Sequence, residues 1–187
     1  MRHRRVILSL LGAAVLLVAI GAVVVNSDIG DAVQAKPGTT TFSILDRPPT
    51  DGDVQARARY TGGQTVSLAD ARLAGTETTT GRTYFLVRNG DDICLVVVSA
   101  PHAAAGACER ASGVAAHGLF VKYGDAASSF IAVAVPDEYA DATVRTVGAV
   151  LLREPNLVVA GADALGTPTR VVLASSRYKD WSITTTR

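Results

Sequence analysis

The first 25 residues constrain this chain more than any other feature. Three arginines at positions 2, 4 and 5 precede twenty residues, 6–25, that carry no charged side chain. A helix of that length measures about 30 Å, which is the thickness of the hydrocarbon core of a bilayer. We therefore predict a cytoplasmic basic end over residues 1–5 and a single transmembrane helix over residues 6–25, anchored by Val6, Leu10, Leu17 and Val25.

The distribution of charge around the apolar segment predicts its orientation. All 17 acidic residues follow the segment, and the positive flank stays in the cytoplasm. The N-terminus is thus predicted inside, and the rest of the chain outside the cell membrane. The alternative is a cleavable signal peptide, cut after Ala35 or Ser27, which would release a secreted protein. The apolar run is longer than the roughly 7 to 15 residues of a signal-peptide core, which favours retention.

The remaining sequence divides into a linker and one domain. Residues 26–41 are small or polar and include Lys36-Pro37-Gly38, which is typical of a flexible tether. Residues 42–187 are long enough for a single core. Of the 18 basic residues, 15 lie outside the N-terminal flank. Together with the 17 acidic residues they give this part of the chain a net charge of −2. This near-neutral charge argues against nucleic acid as a partner and against strong binding to anionic lipid headgroups.

The region after Gly81 predicts a mainly β fold. Short β-rich runs alternate with turn residues about every ten positions, which is typical of an antiparallel sandwich or barrel-like domain of about seven strands. The clearest element is a hairpin whose strands, 83–88 and 93–99, flank Asn89-Gly90-Asp91-Asp92. Apolar residues at consecutive positions in 95–98 and 131–135 predict strands covered on both faces. Further strands are predicted over residues 119–123, 130–135, 143–147, 150–152, 157–160 and 170–174.

The segment before Gly81 predicts one short helix. Ser67 is a candidate N-cap for a helix over residues 68–74 that ends at Gly75. Phe42, Ile44 and Leu45 are expected to pack on the edge of the domain. Residues 46–53 are rich in turn formers and predict neither helix nor central strand.

Cys94 and Cys108 are the only cysteines and lie in the exported part. In an oxidising compartment they predict a structural disulfide, joining the end of a strand to the loop that leaves it. A redox role lacks a Cys-x-x-Cys pair. A zinc site shared with His102 and His117 lacks ligands two to four residues apart, so we predict no metal.

No catalytic motif and no cofactor site is recognisable in the sequence. We therefore predict a binding, sensing or interaction module of the cell envelope, with a binding loop that contains His102, Arg110 and His117. The partner would be an envelope protein or a wall component. The alternative is an envelope hydrolase whose site forms only in the fold, from a serine among Ser99, Ser128 and Ser129 with His102 or His117.

The order of several short motifs carries a resemblance over residues 42 to about 160. They are Ala71-Arg72-Leu73, Thr83-Tyr84-Phe85-Leu86-Val87, Ile93-Cys94-Leu95-Val96-Val97, Cys108, and Val133-Ala134-Val135-Pro136-Asp137. In this order the chain resembles exported, single-pass membrane-anchored envelope proteins of high-GC Gram-positive bacteria. The resemblance implies an envelope protein with a disulfide-clamped β domain, and it brings no catalytic residue with it.

Overall fold

The computed structural model describes residues 40–60, 67–99, 103–124, 129–163 and 167–185, which form a mainly β, antiparallel fold. Its helices are α1 (Ser43–Asp46), α2 (Asp51–Ala58) and α3 (Ala111–His117), with a 3-10 turn at Asp137–Tyr139. Its strands are β1 (Arg72–Thr76), β2 (Thr83–Asn89), β3 (Asp92–Ser99), β4 (Ala103–Arg110), β5 (Leu119–Gly124), β6 (Ser129–Ala134), β7 (Thr143–Thr146), β8 (Val150–Glu154), β9 (Leu157–Ala162), β10 (Arg170–Ala174) and β11 (Trp181–Thr184).

The strands form three antiparallel sheets. The meander sheet has the order β1-β2-β3-β4, the central sheet has the order β5-β6-β9-β8, and the outer sheet has the order β11-β10-β7. The predicted fold class is therefore confirmed as mainly β. The described part holds eleven strands instead of about seven, and β1, β4 and β11 are additional to the predicted runs.

One face of the central sheet packs against the meander sheet, and the other face packs against the outer sheet. On one face, a Cβ at Gly75 of the meander sheet would lie 3.0 Å from the side chain of Leu157. On the other face, the ammonium group of Lys122 donates to the hydroxyl of Thr169, just before β10, at 3.0 Å. Since neighbouring residues of a strand point to opposite faces, both faces of this sheet are covered. The prediction for residues 131–135 is confirmed, since Ile131 to Val135 are all fully buried.

The meander sheet is also covered on both faces. Leu86 and Leu95 belong to the main core, which extends through all three sheets. Phe85 and Val96 point the other way and pack with Ala56 of α2 in a second apolar cluster. Helix α2 thus explains why consecutive residues of β2 and β3 can all be apolar.

The predicted helix over residues 68–74 is wrong. Its C-terminal half belongs to β1, whose Leu73 pairs with Phe85 of β2. The hydroxyl of Ser67 accepts from the backbone N–H of Ala69 at 3.3 Å, which makes a turn and caps no helix. Pairing with β2 gives Leu73 a tertiary partner, whereas isolated helices of seven residues are marginal in water.

The stretch 46–53, predicted to be neither helix nor strand, contains the start of α2. Thr50 is its N-cap, and the capping box with Asp53 is complete because each side chain accepts from the other residue's backbone N–H. The two prolines lie before the N-cap, so they do not interrupt the helix. Phe42 and Leu45 are buried, as expected for an apolar cluster packed on the domain.

Within the described ranges, no helix combines the length and the apolar character that crossing a bilayer requires. The predicted basic end, the transmembrane segment with Val6, Leu10, Leu17 and Val25, and the linker up to residue 39 lie outside those ranges. The membrane anchor therefore stays a prediction.

Candidate functional site

Cys94 of β3 and Cys108 of β4 form a disulfide between directly opposite strand residues, with their Cα atoms 4.0 Å apart. The predicted disulfide is confirmed, but Cys108 lies on a strand and not in a loop. Cys94 is fully buried, whereas Cys108 is exposed at the edge of the sheet. Because the bond uses both sulfurs, a zinc site that needs two thiolates is excluded.

A polar cleft of about 540 Å³ lies at one end of the meander sheet, next to Arg110. It lies where the β2–β3 turn meets the end of β4 and the start of α3. Gly90 in that turn has φ +61°, a left-handed conformation that a two-residue hairpin turn requires. The charged and hydroxyl residues at the cleft include Thr40, Asp46, Arg88, Asp92, Arg110 and Ser112.

The two arginines of the cleft differ in their partners. Arg88 forms an ion pair with Asp46 of α1 at 3.0 Å, with both side chains at least half exposed. Arg110 is the last residue of β4 and lies opposite Asp92 in the strand register. No ion pair to the guanidinium of Arg110 is formed by residues in the described part of the chain. Arg110 therefore presents a planar group with five N–H donors to whatever enters the cleft.

Two of the three residues predicted for a binding loop lie in regular secondary structure. Arg110 ends β4, and His117 is the exposed last residue of α3, so the segment is a strand followed by a helix. Arg110 lines the cleft, whereas His117 does not. His102 lies outside the described residues. Only one of the three predicted binding residues is thus placed at the cleft.

Residues distant in sequence complete the cleft, and most of them carry no sequence signal. Asp46 reaches it because α1 packs beside β2, which cannot be read from composition. Arg88 is different, since it directly precedes the Asn89-Gly90 turn of the predicted hairpin. Its position at the end of a strand, close to the turn, was available from the sequence.

Asp53 holds the segment that carries Asp46 in place. The Asp53 carboxylate is fully buried and accepts from both terminal nitrogens of Arg47, at 2.6 and 3.0 Å. It also accepts from the backbone N–H of Thr50 at 2.6 Å and of Leu73 at 2.7 Å. Burial alone would raise the pKa of Asp53, but these hydrogen bonds outweigh it and hold the pKa well below its usual range. The Asp53 side chain therefore stays ionised at neutral pH, and its carboxylate links α1 and α2 to β1.

A second buried polar cluster joins the meander and central sheets. The hydroxyl of Tyr84 donates to the carboxylate of Glu77 at 3.1 Å and lies 2.6 Å from the hydroxyl of Tyr123. Since Tyr84 has one proton to donate, Tyr123 is the donor of the shorter bond. The guanidinium of Arg82 lies 4.5 Å from the ring centre of Phe130. Burial raises the pKa of Tyr84 far above its ordinary value and also raises the pKa of Tyr123. Both phenols stay protonated at neutral pH, which suits a structural role and not a general base.

The hydrolase alternative gains no geometric support from the described ranges. There, His117 makes no hydrogen bond to a serine or to a carboxylate. Comparison with protein families, with curated proteins and with solved structures finds no match to this chain. The resemblance to exported envelope proteins therefore stays a prediction.

Proposed function

We propose that this chain is a membrane-anchored, extracytoplasmic binding module that holds a polar, charged ligand of the cell envelope in the cleft at Arg88 and Arg110. The observation that carries the proposal is the guanidinium of Arg110, which lines the cleft without an ion-pair partner in the described part of the chain. Arginine binds carboxylate and phosphate groups through two parallel hydrogen bonds. The cleft volume of about 540 Å³ is within the usual range of ligand sites.

The mixed charge of the cleft favours a ligand that carries both signs. Arg88 and Arg110 line the same cleft as Asp46, Asp91 and Asp92. A simple anion would be repelled by the three carboxylates, and a simple cation by the two guanidinium groups. A peptide segment, of an envelope protein or of the wall, carries carboxylate and amine groups that match both sets.

The proposed membrane anchor would place the binding module at the cell membrane. Thr40 and Thr41 line the cleft, so the predicted linker enters the domain at its rim. The apolar run and its basic flank would tether the domain to the outer face of the cell membrane.

The cleft is tested by photo-crosslinking in the native cell. A photoreactive amino acid at Ser112 lies in the cleft, and one at the exposed Ser176 serves as the matched control. We expect a discrete adduct from Ser112 only, and we expect Arg110→Ala to reduce it at least tenfold. No adduct, or the same adduct from Ser176, would contradict the proposal.

The anchor is tested separately by N-terminal sequencing of the protein from the cell. An intact N-terminus in the membrane fraction is the expected result. A mature start just after Ser27 or Ala35 would replace the anchor with the secreted alternative.

A further inference from the structure

The exposed face of the outer sheet is built differently from the cleft. Arg145 of β7 pairs with Val172 of β10, which in turn pairs with Ser182 of β11, so the three side chains share one face in a row. The residues that alternate with them, including Val171 and Ile183, are fully buried in the core. The row therefore points to solvent.

Cations dominate this face. Arg145, Arg170 and Lys179 line a concave surface of about 730 Å³, with Asp180 as the one carboxylate. None of the three cations forms an ion pair within the described ranges. The Arg170 Nε donates to the hydroxyl of Ser182 at 2.8 Å, which orients its guanidinium across the face. Arg145 and Arg170 are diagonal neighbours in the strand register, so both charges lie on the same face.

One exposed apolar side chain, Val147, lies on the same surface, and two others follow it along the chain. Val147 lines the concave surface and is 67% exposed. Val150 and Leu151 follow within four residues and are 43% and 42% exposed. Of the four large apolar side chains exposed in the described part, these make three, and Val54 on α2 is the fourth. Cations beside exposed aliphatic groups are typical of surfaces that bind anionic membranes.

We propose that this face, centred on Arg145, Arg170, Lys179 and Val147, docks on an anionic phospholipid surface. The balance of −2 for the exported part argued against such binding, but the structure segregates the charges and leaves this face with a local excess of two positive charges. The inference rests on the proposed membrane anchor, which would keep lipid at high local concentration. The cations would contact the headgroups, and Val147 would enter the boundary below them.

The test uses the full chain with Val147→Cys carrying an environment-sensitive fluorophore. The control label is at Val54→Cys, the exposed apolar position on α2. The two vesicle types are phosphatidylcholine alone and phosphatidylcholine with phosphatidylglycerol in equal parts. A triple variant, Arg145→Gln with Arg170→Gln and Lys179→Gln, removes the charge, and Arg59→Gln at an exposed site controls for a general loss of charge.

We expect the Val147 label to shift to the blue only with phosphatidylglycerol, while the Val54 label does not respond. Each cation near an anionic surface contributes about fivefold, so the triple variant should weaken the response on the order of a hundredfold. Thermal unfolding of the triple variant should match that of the parent, since the replaced side chains are exposed.

The outcomes separate this inference from the proposed anchor. The same samples are also tested for flotation, in which protein bound to vesicles rises with them in a density gradient. Flotation with both vesicle types and an unshifted Val147 label would overturn the docking and leave the anchor standing. Flotation only with phosphatidylglycerol, lost in the triple variant, would support the docking and overturn the anchor. Flotation with neither would overturn both. The remaining outcome is that a soluble polyanion binds through the same cations while the Val147 label stays in water. That result would assign the face to a polyanionic partner and overturn the docking.

Discussion

Replacing Asp53 with asparagine is expected to lower the free energy of unfolding by about 3 kcal/mol. One carboxylate oxygen accepts from Leu73 N–H and one Arg47 nitrogen, and the other accepts from Thr50 and the second Arg47 nitrogen. An asparagine NH₂ at either position would place donor against donor. Breaking a buried ion pair costs about 3 to 5 kcal/mol, and the lower end applies because the Arg47 side chain is 33% exposed and can be solvated.

The same carboxylate predicts a dependence on pH. Its pKa is lowered on folding, so the native state binds its proton less readily than the unfolded chain, whose aspartate pKa is about 3.9. The stabilisation is therefore complete above this value, and it is lost as the pH falls below it toward the folded pKa. The difference between the parent protein and Asp53→Asn should be constant from about pH 5 to 8 and should shrink below about pH 4.

Urea unfolding of the full chain in mild detergent measures both effects. The single tryptophan, Trp181, is buried and reports loss of the core. Asp51→Asn is the matched control, because Asp51 lies in the same first turn of α2 but is exposed, so less than about 1 kcal/mol is expected. Equal losses for Asp51→Asn and Asp53→Asn, or a difference unchanged at pH 3, would refute the reasoning.

Four further variants test the packing by the same measurement. Cys94→Ala with Cys108→Ala should cost about 3 kcal/mol, because the disulfide closes a loop of about 15 residues, and an unchanged urea midpoint would contradict this. Tyr123→Phe should cost about 1 kcal/mol, since it removes the donor to a buried hydroxyl, and a gain in stability would show that the bond is not needed. Gly75→Ala should cost about 1 to 3 kcal/mol, because its Cβ would lie 3.0 Å from two leucine side chains, whereas Gly52→Ala in α2 should stabilise by up to about 1 kcal/mol. The same sign for both glycine changes would contradict the packing described.

The parts of the fold that could be predicted depend on signals within a few residues. The Asn89-Gly90 turn and the apolar runs on each side specify the β2–β3 hairpin without help from the rest of the chain. Strand β4 has no such signal, because alanine and glycine are poor strand formers. Pairing with β3 across the disulfide makes it a strand, and pairing is a property of the tertiary fold.

The two errors before Gly81 have different causes. Residues 68–74 follow a candidate N-cap at Ser67, yet pairing with β2 makes Leu73 part of a strand. The sequence contains the capping pair Thr50 and Asp53, but the prolines next to it favour a turn and led to the prediction of no helix. Proline interrupts a helix only from within, and it is compatible with a helix that begins after it. A proline pair followed by a capping box is thus better interpreted as a helix start.

The site shows why total charge was a weak guide to partners. A balance of −2 conceals a cleft of mixed sign at Arg110 and a cationic face at Arg145, because strand register and not composition decides which charges meet. If the two surfaces act separately, Arg110→Ala should reduce crosslinking from Ser112 at least tenfold and leave the Val147 lipid response intact. The triple change that includes Arg145→Gln should do the reverse. Loss of both responses in either variant, with unchanged unfolding, would mean that ligand and membrane compete for one surface.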